Sequence, residues 1–328
     1  MNQEAGKGNL DVSQGARIEA QPYRAALLPS RLRTPTGRPG GSRHDRGMTT
    51  LLNPNYTPLS DLSQVLRTHG HAVLAPIALG ELIAATAAEG AGADEFPALP
   101  ALQQLRAEWA ALPIDAYLRD GGRYRRRRHA SFIVDGAQVT PVAHRAHWQP
   151  LQYNALHGGL ERWFEPMLAS VIAQPVWNPL LRALSGVCST LKGAQPWFVE
   201  AHQFRIDTTD GIGRPTPEGA HRDGVDFVAV LLVERHAIKG GETRVFEADG
   251  PAGQRFTMTE PWTTLLLDDA RVVHESTPIQ PLPSISQEIA QETAQVPAQV
   301  TTHERAQGHR DTLVLTFRSG GFQNPAPR

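Results

Sequence analysis

Trp197-Phe198-Val199-Glu200-Ala201-His202-Gln203-Phe204-Arg205-Ile206 is a short run rich in apolar, aromatic and β-branched residues, and it reads as a strand. Similar runs follow at Phe227–Val233, Arg244–Phe246, Thr263–Leu267, Val272–His274 and Thr312–Phe317, and an earlier one lies at Arg123–Val134. Turn signals such as Lys239-Gly240-Gly241 and Ala248-Asp249-Gly250 separate them. No helical pattern of useful length alternates with these runs, so a parallel βαβ sheet is disfavoured and an antiparallel sandwich or jelly roll is expected. Upstream the period changes: Ser60 is placed to cap a helix carrying Leu62, Val65 and Leu66, and helical patterns recur near 79–89 and 98–112. The expected fold class is therefore mainly β with N-terminal helices (α+β), helical over 48–120 and a β core over 121–328. A stretch rich in Gln, Pro, Thr and Ser at 280–307 reads as an insertion loop.

The chain has 328 residues, 40% of them apolar and 20% charged, enough to bury a sizeable core. Residues 1–47 hold eight Lys/Arg against four Asp/Glu, show no sustained apolar period and read as a disordered extension. The formal charge of -1 gives no bulk attraction for nucleic acid or an anionic membrane, so neither is an expected partner. No run of 18 apolar residues and no apolar leader is visible, and a cytoplasmic location is expected. The single cysteine, Cys188, lies among Leu184, Val187 and Leu191 and reads as a buried small hydrophobe. Metal chemistry must then use histidine and carboxylate.

His-Arg-Asp occurs at 221–223 and again at 309–311. With 13 histidines in the chain the tripeptide alone proves nothing, and a kinase catalytic loop is excluded because Val228 and Thr316 stand where an Asn is required. On extended backbone, residues two apart share a face, so His221 and Asp223 can reach one ion while Arg222 points away. His274, at the end of a later strand, supplies a third ligand; no histidine follows the second His-Arg-Asp. Two histidines and one carboxylate on one face of a metal are the arrangement of non-heme Fe(II) oxygenases, whose open positions take a bidentate oxoacid and O₂. The far carboxylate of that oxoacid needs a planar cation. Arg310 opens the last strand, and Thr312, two along, can add a hydroxyl.

The run Pro217-Glu218-Gly219-Ala220-His221-Arg222-Asp223-Gly224-Val225-Asp226-Phe227-Val228, followed by Gly240-Gly241-Glu242, resembles the bacterial 2-oxoglutarate/Fe(II)-dependent dioxygenases typified by free L-isoleucine hydroxylases. The resemblance spans roughly 120–320 and implies a double-stranded β-helix (a cupin-like jelly roll) using Fe(II), 2-oxoglutarate and O₂. Carried over, it makes His221, Asp223 and His274 the iron ligands and Arg310 the oxoacid anchor. The interval from His274 to Arg310 is longer than such enzymes have, an excess that the 280–307 insertion accounts for. Related halogenases resemble this arrangement with a small residue in place of the carboxylate, so Asp223 favours hydroxylation. The implied reaction is hydroxylation of an aliphatic C–H in a small molecule, a free amino acid in first place, with release of succinate and CO₂. A hydroxylase of protein or peptide side chains, and a cupin-like metal-binding protein without turnover, are the alternatives.

Other features carry weaker signals. In Arg123-Tyr124-Arg125-Arg126-Arg127-Arg128-His129, strand alternation toward Phe132 puts Arg126 and Arg128 on one face, where either can hold a substrate carboxylate. Asp226 and Glu242 either orient a ligand histidine or sit on the sheet surface. His144 and His147 are poorly spaced for chelation, and Trp163 and Phe164 read as packing residues.

Overall fold

In the computed structural model, residues 51–89, 96–154, 156–250, 252–282 and 307–324 are described. The expectations for 1–47 and most of the 280–307 insertion lie outside them. Three helices come first, α1 (Leu62–His69), α2 (Pro76–Ala88) and α3 (Ala98–Leu105), with β1 (His71–Leu74) between the first two. Gly70, in left-handed conformation, ends α1, and Pro76 at the first turn of α2 needs no backbone donor there. The remaining strands are β2 (Arg125–Asp135), β3 (Gln138–Pro141), β4 (Trp197–Asp207), β5 (Phe227–His236), β6 (Ile238–Gly240), β7 (Thr243–Glu247), β8 (Gly253–Phe256), β9 (Thr264–Asp268), β10 (Val272–Ser276), β11 (Ile279–Pro281) and β12 (His309–Arg318).

All strand pairs are antiparallel. A seven-stranded sheet has the order β1-β9-β5-β12-β4-β2-β3, a three-stranded sheet β10-β7-β8, and β11 pairs with β6. Two helices were not expected inside the β region: α4 (Ala169–Ile172) and α5 (Trp177–Lys192), the latter sixteen residues long. The 121–328 region, expected as a β core with an insertion, thus also carries helices. The α5 segment carries Leu180, Leu181, Leu184 and Cys188 at helical spacing, all buried, because the strand-rich flanks present an apolar face that a helix must cover.

The period of two divides each long strand between two environments. Leu313, Leu315 and Phe317 of β12, Ala229, Leu231 and Val233 of β5, and Val199 and Ala201 of β4 join the helices in one apolar core. A second core, with Val228, Leu232, Val245, Phe256, Leu265 and Val272, lies between the large and small sheets. The alternate residues of β4 and β12 line a cavity of about 130 Å³.

Candidate metal centre

His221 lies on a loop held to β10 by one isolated bridge: its N–H donates to the His274 carbonyl and the His274 N–H returns the bond, each at 3.0 Å. The expected continuous strand at 221–223 is thus a single bridge followed by irregular backbone. It still delivers Asp223 to the same place. Asp223 Oδ1 lies 3.9 Å from His221 Nε2, and Oδ2 lies 3.9 Å from His274 Nε2. One ligand atom from each residue falls within 4.8 Å of the other two, a span that one ion can bridge.

The tautomer suits a metal. His221 Nδ1–H donates to the Gly219 carbonyl at 3.0 Å, which leaves the Nε2 lone pair facing Asp223. Burial, then the His221 charge, hold His274 well below the usual imidazole range, so it is a neutral donor. Burial also opposes ionisation of His221, but Asp223 and Glu218 outweigh it and raise its pKa. Burial pushes the Asp223 carboxyl up. A divalent cation displaces the proton such a pair retains.

The loop bearing Asp223 is clamped from behind. Asp269 accepts backbone N–H bonds from Asp223, Gly224 and Val225 at 2.9, 2.8 and 3.1 Å, and Gln149 Nε2 donates to Asp223 Oδ1 at 3.2 Å. Burial and the neighbouring Asp223 raise Asp269 to about 7. Asp226 and Glu242 touch neither histidine: Asp226 accepts from Lys192 and Ser319, and Glu242 pairs with Arg244 at 2.8 Å. Their expected alternative, an ordinary structural place on the sheet, is the one seen. Asp269 carried one sequence signal, a carboxylate directly after an apolar strand; Gln149 carried none.

The cavity brings His221, Asp223 and His274 together with Arg310, Thr312, Val314 and Thr316, the even-numbered face of β12. Arg310 is 5% exposed and has no carboxylate within ion-pair distance among the described residues. Burial, then the Arg235 charge, lower it to about 10. Arg126 and Arg128 are not in the cavity. Arg126 pairs with Asp207 at 3.3 Å and Arg128 donates to the Pro166 carbonyl at 3.0 Å, both on the outer face. The expectation reversed the parity because Phe132, taken as pointing to the site, packs against Trp177 in the helix-covered core. Arg125 and Arg127 therefore line the cavity, joined by Arg162 from the 143–168 loop.

Two further groups have metal-binding residue types. In His129, His147, Glu200 and His202, Arg145 donates to Glu200 Oε1 at 2.7 Å, Arg127 bonds His202 Nδ1 at 2.8 Å, and the His129 and His202 rings stack with planes 19° apart. Arg127 thus occupies one ring nitrogen of His202, and Arg145 offsets the Glu200 charge that would attract a cation. In Glu234, His309 and Asp311, Arg205 holds Asp311 with two bonds of 2.8 and 2.7 Å, and Arg106 bonds Glu234. Only the trio at 221, 223 and 274 lies free of cationic partners among these groups.

A two-histidine, one-carboxylate set lining a cavity between antiparallel strands is the arrangement of the non-heme iron oxygenases. The profile of the 2OG-Fe dioxygenase family matches residues 106–288, and the chain belongs to that family. It is a 2-oxoglutarate-dependent non-heme iron oxygenase and uses Fe(II), 2-oxoglutarate and O₂. The chain is 48% identical to a bsmA homolog from Methylobium petroleophilum PM1, over 84% of this chain and 98% of that one, with a TM-score of 0.70. The fold is shared with IDO from Bacillus thuringiensis (16% identity, 81% and 99% of the two chains, TM-score 0.57) and with the Fe(II)/α-ketoglutarate-dependent dioxygenase TqaL (18%, 79% and 86%, 0.54). No curated protein matches the chain. No helix among the described residues is long and apolar enough to cross a membrane.

Proposed function

We propose that this oxygenase hydroxylates an aliphatic C–H of a free L-amino acid and releases succinate and CO₂, with a double-stranded β-helix formed by the large and small sheets as its frame. The observation that carries the reading is one cavity holding both the His221, Asp223 and His274 trio and Arg310, a buried guanidinium without a carboxylate partner. A buried cation is costly unless an anion meets it, and the far carboxylate of 2-oxoglutarate is the anion this chemistry requires.

In this reading His221 and His274 hold Fe(II) through Nε2 and Asp223 through its carboxylate. Arg310 would hold the far carboxylate of 2-oxoglutarate, with the Thr312 hydroxyl beside it as a further donor. Bound Fe(II) with 2-oxoglutarate and O₂ supplies the oxidising power to break an unactivated C–H bond. Gln149 keeps the Asp223 carboxylate turned toward the metal, and Asp269 fixes the backbone beneath it. Phe204, Val230 and Val314 give the cavity apolar walls that exclude water from the reacting C–H.

The test is O₂-dependent succinate formation with each of the twenty amino acids, with mass spectra of the products. A gain of one oxygen in one amino acid, matched to succinate, is the expected result. Turnover on peptides but on no free amino acid would overturn the substrate class.

A further inference from the structure

The cavity holds three more arginines, and their partners separate them. Arg125 donates to Asp115 at 2.7 Å, and Arg127 shares that carboxylate at 3.9 Å while lying between the Phe164 and Phe204 rings at 3.6 and 4.3 Å. Asp115 thus offsets one charge of that pair. Arg162 is 2% exposed, with no carboxylate within ion-pair distance among the described residues. Its Nη2 donates to Gln149 Oε1 at 2.8 Å, and its Nε has no partner. Reciprocal backbone bonds with His147, at 2.9 and 3.0 Å, hold it over the cavity. Arg162 and Arg310 are therefore the two buried cavity guanidiniums with no carboxylate within ion-pair distance among the described residues.

One cavity carboxylate also has a free oxygen: among the described residues Glu218 meets only His221, its Oε1 lying 3.7 Å from His221 Nε2. Glu218 lines the same space, its Oε2 is buried without a hydrogen bond, and no arginine or lysine among the described residues lies within ion-pair distance. Its turn is pinned to β10: the Thr216 hydroxyl donates to the Ser276 carbonyl at 3.0 Å and accepts the Ser276 N–H at 3.0 Å. Were Arg162 and Glu218 structural, the cheapest solution would be to pair them with each other. They remain apart in one cavity, each with an unpartnered atom.

We propose that Arg162 and Glu218 are the specificity-determining pair of the substrate pocket, Arg162 holding the carboxylate and Glu218 the ammonium of a zwitterionic α-amino acid. The inference rests on the reading above, in which Arg310 is occupied by 2-oxoglutarate, so that a second carboxylate must find its own arginine. Gln149 links this subsite to the centre, since its carbonyl accepts from Arg162 while its amide donates to Asp223. Arg162 is thereby placed two hydrogen bonds from Asp223, and a carboxylate held by it three. A ligand with both charges satisfies both orphaned groups; an amide or an N-acylated amine satisfies one.

The test is calorimetric titration of the anaerobic enzyme loaded with Fe(II). 2-Oxoglutarate is titrated first, then the twenty amino acids, and for the tightest of these its amide and N-acetyl forms. The amide and the N-acetyl form should each bind about 10- to 100-fold more weakly than the free amino acid. Arg162→Gln should remove the preference for acid over amide, Arg162→Lys should restore part of it, and Glu218→Gln should remove the preference for amine over N-acetyl amine. Iron content of Glu218→Gln should equal that of the wild type, because a loss would make Glu218 a metal ligand and overturn its assignment. Equal binding of acid and amide, no binding of any free amino acid, or a variant that weakens all three forms alike would overturn the pair while 2-oxoglutarate binding stands. Failure of 2-oxoglutarate to bind would instead bring down the underlying reading, and the inference with it.

Discussion

His221, Asp223 and His274, the proposed iron ligands, offer two nitrogens and a carboxylate, and none of the three fills the apolar cores. Each alanine variant should therefore lose bound iron and activity while its far-UV circular dichroism stays native, as metal analysis beside the spectrum will report. In the proposed reading Arg310 is a different kind of residue, one that binds an anion and not the metal. Arg310→Ala should raise the KM for 2-oxoglutarate about 10- to 100-fold, the worth of charged hydrogen bonds, with iron content unchanged. Arg310→Lys keeps the charge without the fork and should recover part of the loss, and Arg318→Ala, at the far end of β12, should behave as wild type. That His221 and Asp223 would come together was legible because their spacing is scarce: few histidines are followed two residues later by a carboxylate. Arg162 and Glu218 were not, because an isolated arginine or glutamate has no spacing to betray it, and only the cavity shows which charges lack partners.

At the scale of elements, the loop after His221 depends on a residue with no side chain. Gly224 has φ +74°, and a Cβ there would collide with the Tyr153 ring. Gly224→Ala should displace Asp223 and lower iron affinity, on the order of 10-fold as for other groups that orient a ligand, which an iron-binding isotherm will measure. Leu180 of α5 is the contrast: wholly buried against the sheet, it touches none of the cavity. Leu180→Ala should cost about 2–5 kcal/mol of stability by denaturant titration and leave the KM for 2-oxoglutarate unchanged. The strand runs were visible from apolar, β-branched composition, while α5 went unread because its pattern lies within a stretch dominated by strand signals. The face of β2 was inverted for a related reason. Alternation says which residues share a side, but both sides of this strand are covered, one by helices and one by the cavity, so apolarity did not label the side that holds the site.

The whole molecule keeps uncharged histidines in its interior, and this ties stability to pH. Burial, then Glu200 acting in opposition, leave His147 at about 4, and burial with Arg127 beside it holds His202 well below the usual range. A group whose folded pKa is depressed stabilises the fold above its unfolded pKa, about 6.5, and that stability is lost as the pH falls through the folded value. The denaturation midpoint should therefore drop between pH 6.5 and 4, with His147 alone contributing roughly 3 kcal/mol, and His147→Gln should flatten the profile. The sequence by itself determined the antiparallel β class, the helical start and the residue types of a metal centre, because strand and helix periods and His-x-Asp spacing are local properties. Only the tertiary structure decided which arginines meet the cavity, which carboxylates are left unpaired and what clamps the Asp223 loop. Those depend on residues as far apart as Gln149, Asp223 and Arg310 being drawn to one point, and no local period encodes that distance.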